Sequence, residues 1–303
     1  MKNNFGNKTD REKGILSLVL LALVFASMGL FARYLATGFL LFQQVYLRML
    51  AALVVGVIVF RKQIDFSKFK KVTIKDWGII ILRAVCYSLF GIILFTQAII
   101  ITKYANVSFI GTLPMTAVLG FILIGEKFTW KKAFYILLAF IGVFLVAVKD
   151  YSHLLDWGKG EILTLVSTVF FSLSYVARKW QSNLLNNKEL TIINFFVAFL
   201  AVFLVSILKG DGLPVAGWDW GLLLAVIGAG AFNTMNVFLT NYGFQKVEAV
   251  LASNILTLES FFAVILGFIF YREAPLLKNL LGGVVITIAV IAMNKLEAKQ
   301  QPQ

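Results

Sequence analysis

Glu259 lies in NILTLESFFAVILGF, residues 254–268, a stretch apolar enough to cross a lipid bilayer. A charged side chain at the bilayer centre costs about 2.5–3.5 kcal/mol on insertion scales, so the acid implies a use or a partner. It would serve as countercharge to a substrate amine or as a protonatable coupling group. The structural alternative is a neutral carboxyl, or a pair with Arg83 that locks two helices together. Arg83 itself is suited to a substrate carboxylate, which a guanidinium grips through two parallel hydrogen bonds. With Tyr87 and Gln97, and small Gly91 between them, Arg83 falls at spacings that share one helical face. Thr168, Phe171 and Tyr175 form a second stripe with Thr164, and Asn233 and Asn236 a third with Thr240. Asn254 belongs to a polar face with Ser253, Thr257 and Ser260, from which Glu259 is turned by about 100° or more. Each such group in lipid must find a protein partner or water. Hydrogen bonds between helices would meet that need at about 0.6 kcal/mol apiece; as a set, the stripes predict a hydrated cavity, and the rings of Tyr87, Phe171 and Tyr175 a surface for a flat ring or a cation.

The residues for bond-making chemistry are missing. The only histidine is His153, in a loop, and the lone Cys86 lies inside an apolar run, so no Cys/His zinc pattern exists. There is no P-loop lysine motif and no G-x-S-x-G elbow. The sequence therefore predicts neither an enzyme nor a bound metal or cofactor, and energy for any transport must come from a gradient.

The elements that carry these side chains are membrane spans. Of 303 residues 60% are hydrophobic and 14% charged, and mean hydropathy is +0.87, whereas a soluble domain carries about 25% charged residues. Apolar runs near the roughly 20 residues of a spanning helix recur ten times between residues 14 and 293. Their continuity, without alternation over about ten residues, excludes a β-barrel. The fold class expected is all-α: a polytopic membrane protein with ten transmembrane helices. The first run exceeds a signal-peptide core and is read as a span. The longest connection, Arg61 to Trp77, is basic and should lie along the membrane surface.

The net charge of +13 does not call for nucleic acid. Lys and Arg concentrate in the N-terminal tail, in Arg61–Lys75, at Lys127–Lys132 and around Arg178–Lys188, all on one side if the N-terminus is cytoplasmic. The positive-inside rule then places both termini in the cytoplasm, in the plasma or inner membrane. Arg48 sits toward the outer end of the second run, where it should snorkel to headgroups. Glu126 and Glu273 end matching helices at opposite faces and are expected to be interfacial, and Trp77, Trp130, Trp157, Trp218 and Trp220 to be anchors there.

The sequence repeats itself. FASMGLFAR, Phe25–Arg33, returns as FSLSYVAR, Phe171–Arg178, pairing Arg33 with Arg178; FTQAI at Phe95 corresponds to LTNYG at Leu239; AVLGFILIGE at Ala117 corresponds to AVILGFIFYRE at Ala263. An odd number of spans per copy inverts the second copy, the design of many secondary transporters with a midplane site between repeats. The expected organisation is an N-terminal tail (1–13), a first five-helix repeat (14–149), an external linker (150–159), a second repeat (160–293) and a C-terminal tail (294–303).

With YLRMLAAL opening the second run, and LPMTAVLGFILIGEKFTWKKA and TLESFFAVILGFIFYREAP closing the repeats, the chain resembles the EamA-type transporters of the drug/metabolite transporter superfamily from about Gly14 to Met293. The resemblance implies alternating-access movement of small metabolites, amino acids or amphipathic compounds, through a cavity between the repeats, with export the expected direction. Efflux of lipophilic or quaternary cations is the alternative, and a membrane scaffold the non-transport reading. Expected partners are a small-molecule substrate, membrane lipid and protons as coupling ion, with no nucleic acid, in a monomer or homodimer. Family members often carry proline after the position of Glu259, where this chain has Ser260, while Pro114 is present in the first copy; a kink in the ninth span is therefore not expected.

Overall fold

The computed structural model describes residues 8–125, 129–147, 157–182, 184–215, 217–246, 255–256 and 258–300. The elements found there are helical: α1 (Lys8–Leu35), α2 (Leu41–Phe60), α3 (Ile74–Val85), a π-helical segment (Cys86–Ile92), α4 (Ile93–Ile101), α5 (Tyr104–Gly111), α6 (Met115–Ile124), α7 (Trp130–Ala147), α8 (Lys159–Val176), α9 (Asn187–Leu208), α10 (Trp220–Lys246), α11 (Leu258–Tyr271) and α12 (Leu277–Gln300). Six segments are long and apolar enough to cross a membrane: Glu12–Leu35, Leu41–Gln63, Ile74–Ile101, Trp130–Ala147, Asn187–Leu208 and Trp220–Leu239. Leu258–Tyr271 and Leu277–Met293 are shorter apolar helices.

The surface is inside out relative to a water-soluble bundle. Leu16, Leu20 and Leu23 of α1, Phe196, Leu200 and Leu204 of α9, and Leu281, Val284 and Ile288 of α12 are exposed at helical spacing. Buried instead are Gln44, Arg48, Thr96, Asn106, Glu161 and Ser260. Apolar stripes of this extent need a covering, and lipid supplies it.

Packing follows the repeat. The helix α7 lies on α12, α2 on α9, and α5 on α11. Each of the other main packings has a counterpart: α1 on α10 matches α8 on the π segment and α4, α2 on α10 matches α9 on α3, and α1 on α11 matches α8 on α6. Exchanging the halves, with α8 taking the place of α1 and so on down the chain, maps these main packings onto one another, while the lighter contacts of α1 with α4 and of α5 with α12 are not matched among the described residues. The self-paired contact of α7 and α12 is close enough to require glycine. A Cβ on Gly142 would come 2.7 Å from the Gly282 carbonyl oxygen, and one on Gly282 2.6 Å from that of Gly142.

Breaks and bends have local causes. Pro114, which lacks an N–H, separates α5 from α6, while α11 runs unbroken through Ser260, in line with the missing proline of the second copy. Between α2 and α3 the basic connection forms two short 3-10 turns, Arg61–Gln63 and Phe66–Lys71. The Asp65 carboxylate caps the second turn, and hydrogen bonds from the Ser67 hydroxyl and N–H hold its pKa below the ordinary value. Buried Glu189, three residues into the capping box of α9, accepts from the Asp65 N–H and from Lys68 and so moors this connection.

Candidate functional site

The π-helical segment of the third span carries the centre of the site. Its extra residue per turn changes which side chains share a face, and such segments concentrate at functional positions. Tyr87 projects from it onto α8, with ring centroids 5.1 Å from Phe171 and 6.3 Å from Tyr175. Phe95 closes the other side of Phe171 at 5.8 Å. This cluster forms only because residue 91 is glycine: a Cβ there would come within 2.5 Å of the Phe171 ring. Tyr175 remains 52% exposed although it stands on a helix packed against two others. Glu259, in the first turn of α11, is partly buried and within electrostatic range of the Tyr87, Tyr104 and Tyr175 hydroxyls. Among the described residues its carboxylate has no hydrogen bond or ion pair.

The same rephasing separates residues that the sequence aligns. Gln97 lies on an exposed face of α4 together with Ile100 and Ile101, away from Tyr87, because the stretch between them does not turn at the α-helical rate. Arg83 stays near the cluster but is spoken for. It donates from Nε to the Ser174 carbonyl at 3.0 Å and from Nη1 to Gln181 Oε1 at 2.5 Å, while the Ser174 hydroxyl donates to the Arg83 carbonyl. These bonds tie α3 to α8, and the pairing of Glu259 with Arg83 is not formed. Thr168 gives its hydroxyl to the Thr164 carbonyl of its own helix. On α10, Asn236 is buried, and Asn233 has a buried Nδ2 without a hydrogen-bond partner among the described residues. Asn254 and Glu126 lie outside the described residues.

Arg48 corrects the sequence reading. It does not snorkel: it is 3% exposed, points into the bundle and donates from Nη2 to Thr96 Oγ1 at 2.9 Å. Position along the span was legible; the direction of the side chain depends on helix rotation, which apolar residues on both sides of Arg48 conceal. Two further clusters join residues from distant elements. Buried Glu161 Oε1 accepts from Thr102 Oγ1 and Asn106 Nδ2, and Asn279 donates to Asn106 Oδ1. Arg33 bonds Glu273 at 2.6 Å and the Ile99 and Thr102 carbonyls that end α4, beneath the Tyr271 ring. A cleft of about 500 Å³ beside it, bordered by Leu30, Phe31, Tyr34 and Phe232, is lined almost wholly by apolar groups and holds none of the ten residues expected to bind substrate.

A family model, the EamA-like transporter family, matches residues 12–148 and again 158–295. The chain belongs to the EamA-like transporter family. Its two copies are thus each recognisable as the family unit. The uncharacterized transporter YcxC of Bacillus subtilis is 24% identical over 187 residues, covering 59% of this chain and 60% of YcxC. The pseudopaline exporter CntI of Pseudomonas aeruginosa is 26% identical over 174 residues, 57% of this chain and 58% of CntI. The chain thus spans somewhat under two thirds of either relative. A solved crystal structure shares the fold of this EamA-like chain at TM-score 0.63, with 15% identity over 96% of this chain and 99% of the other.

Proposed function

We propose that this EamA-like chain is a secondary transporter that moves small amphipathic metabolites, amino acids or related compounds, out of the cell by alternating access. Ten spans form two inverted repeats, bounded as the sequence reading has them, with both termini cytoplasmic. The observation that carries the reading is the interchangeable packing of the halves around the Tyr87–Phe171–Tyr175 cluster, with Glu259 beside it and no partner for its carboxylate among the described residues. Inversion is favoured by the α7–α12 contact. Gly142 meets Gly282 and Ile286, and Gly282 meets Leu145 and Val146, so residue numbers rise along one helix as they fall along the other. In this reading Glu259 takes up a substrate amine or a proton as the site opens to each side. The name of CntI as an exporter supports the direction.

Cation efflux is the second reading, favoured by a carboxylate beside three aromatic rings. Purified protein in liposomes tests both. Counterflow of amino acids, set against counterflow of a lipophilic cation such as tetraphenylphosphonium, ranks the substrate classes. Failure of both to move above protein-free liposomes rejects transport altogether.

A further inference from the structure

We infer that Arg48, with Gln44 one turn before it, forms the carboxylate-binding half of the central site, so that the ligand is a zwitterion held between Arg48 and Glu259. This inference rests on the transporter reading and narrows it to a substrate class.

Arg48 is the first support. A guanidinium has five N–H donors, and in a buried place each unmet donor keeps its desolvation penalty. Here one hydrogen bond, to the neutral Thr96 hydroxyl, is formed at 2.9 Å, and Nε is buried without a partner. No carboxylate pairs with Arg48 among the described residues. A structural arginine in this setting is normally paired or bonded to several carbonyls, as Arg33 is with Glu273, Ile99 and Thr102.

Gln44 is the second, independent support. It is fully buried, and among the described residues neither its Oε1 nor its Nε2 has a hydrogen-bond partner. Four residues apart, Gln44 and Arg48 project from the same face of α2. That face therefore offers three polar atoms without partners among the described residues, inside a membrane bundle.

The third support is the charge around the aromatic cluster. Tyr87, whose ring packs near Phe171 and Tyr175, is within electrostatic range of both Arg48 and Glu259. A carboxylate on Arg48 would take Nε and an Nη N–H in the bidentate geometry that guanidinium favours, a backbone-like amine would face Glu259, and an apolar side chain would lie over Tyr87, Phe171 and Tyr175. A pure cation would leave Arg48 repelling it. Arg83 is less suited, because its Nε and Nη1, one edge of the guanidinium, are engaged by Ser174 and Gln181.

The test is counterflow in liposomes with wild-type protein, using phenylalanine and leucine as zwitterions, their amides as amines without a carboxylate, and tetraphenylphosphonium. Wild-type protein should move the amino acids and lose about tenfold or more when the carboxylate is amidated. Arg48→Gln should raise KM for the amino acids by a similar factor, change amide flux less than about twofold, and be partly rescued by Arg48→Lys, which restores charge without the fork. Should Arg48→Gln fail to fold by size-exclusion chromatography, the wild-type comparison of amino acid with amide decides alone. Equal transport of acid and amide, or equal loss of both in Arg48→Gln, overturns the zwitterion site and leaves transport standing. Absence of flux for every probe overturns transport and the site with it.

Discussion

At the scale of single residues, the chain separates two arginines that look alike in sequence. Arg83 is expected to be a fastener. Arg83→Ala should remove the Ser174 and Gln181 bonds, lower thermal stability by a few degrees, and reduce flux of zwitterions and cations alike; a loss confined to zwitterions would make it a binding residue instead. Glu259 is expected to carry coupling. Glu259→Gln keeps shape but cannot exchange a proton, so flux driven by a pH gradient should vanish while the protein stays monodisperse and counterflow at equal pH survives in part. Undiminished pH-driven flux would assign Glu259 a structural role. Gly91 reports on the aromatic cluster: Gly91→Ala would place a Cβ 2.5 Å from the Phe171 ring, a strain of about 1–3 kcal/mol. Substrate KM should rise several-fold, and the added change Phe171→Leu should recover much of it.

At the scale of elements, some features were legible in the sequence and others required coordinates. Apolar runs located α1, α2, α9 and α10 because nothing but span length and hydropathy defines them. Pro114 marked the break between α5 and α6 because its chemistry is local. The π segment was hidden: no residue type in CYSLFGI demands it, and with it went the placement of Gln97. Arg48 and Gln44 were unreadable for the same reason, since helix rotation is set by packing rather than by sequence spacing. The Glu161 cluster draws on α5, α8, α12 and the turn before α5, so no single stripe announces it. One element contact gives a pH test outside the membrane. Asp10, at the start of α1, accepts from Lys246 at the end of α10 at 2.8 Å, and that hydrogen bond and charge hold its pKa below the ordinary carboxylate value. A depressed carboxylate pKa contributes stability above the unfolded value and loses it as pH falls through the folded value. Thermal stability of Asp10→Asn should thus fall less than that of wild type between neutral pH and about pH 3; identical acid profiles would contradict the pair.

At the scale of the whole molecule, the two halves are interchangeable in their main helix packings, and in the proposed mechanism that interchange gives one fold two related shapes. The Arg33–Glu273 pair, with Tyr104 N–H also donating to Glu273, fastens α1 and α11 to the end of α4. If α11 and α1 are the parts that close the outer side, Glu273→Gln should favour the outward-open shape and raise labelling from outside at a cavity position. Tyr175 is the suitable reporter, because it is half exposed within the aromatic cluster, and Cys86 is the chain's lone cysteine.

The most direct measurement is therefore the reactivity of Tyr175→Cys, in a Cys86→Ala background, toward a membrane-impermeant thiol reagent applied to either face of oriented vesicles. Alternating access predicts labelling from both faces, with substrate or an imposed pH gradient increasing one rate as it decreases the other. Labelling from one face only, or rates at the two faces that move together under every condition, would contradict it.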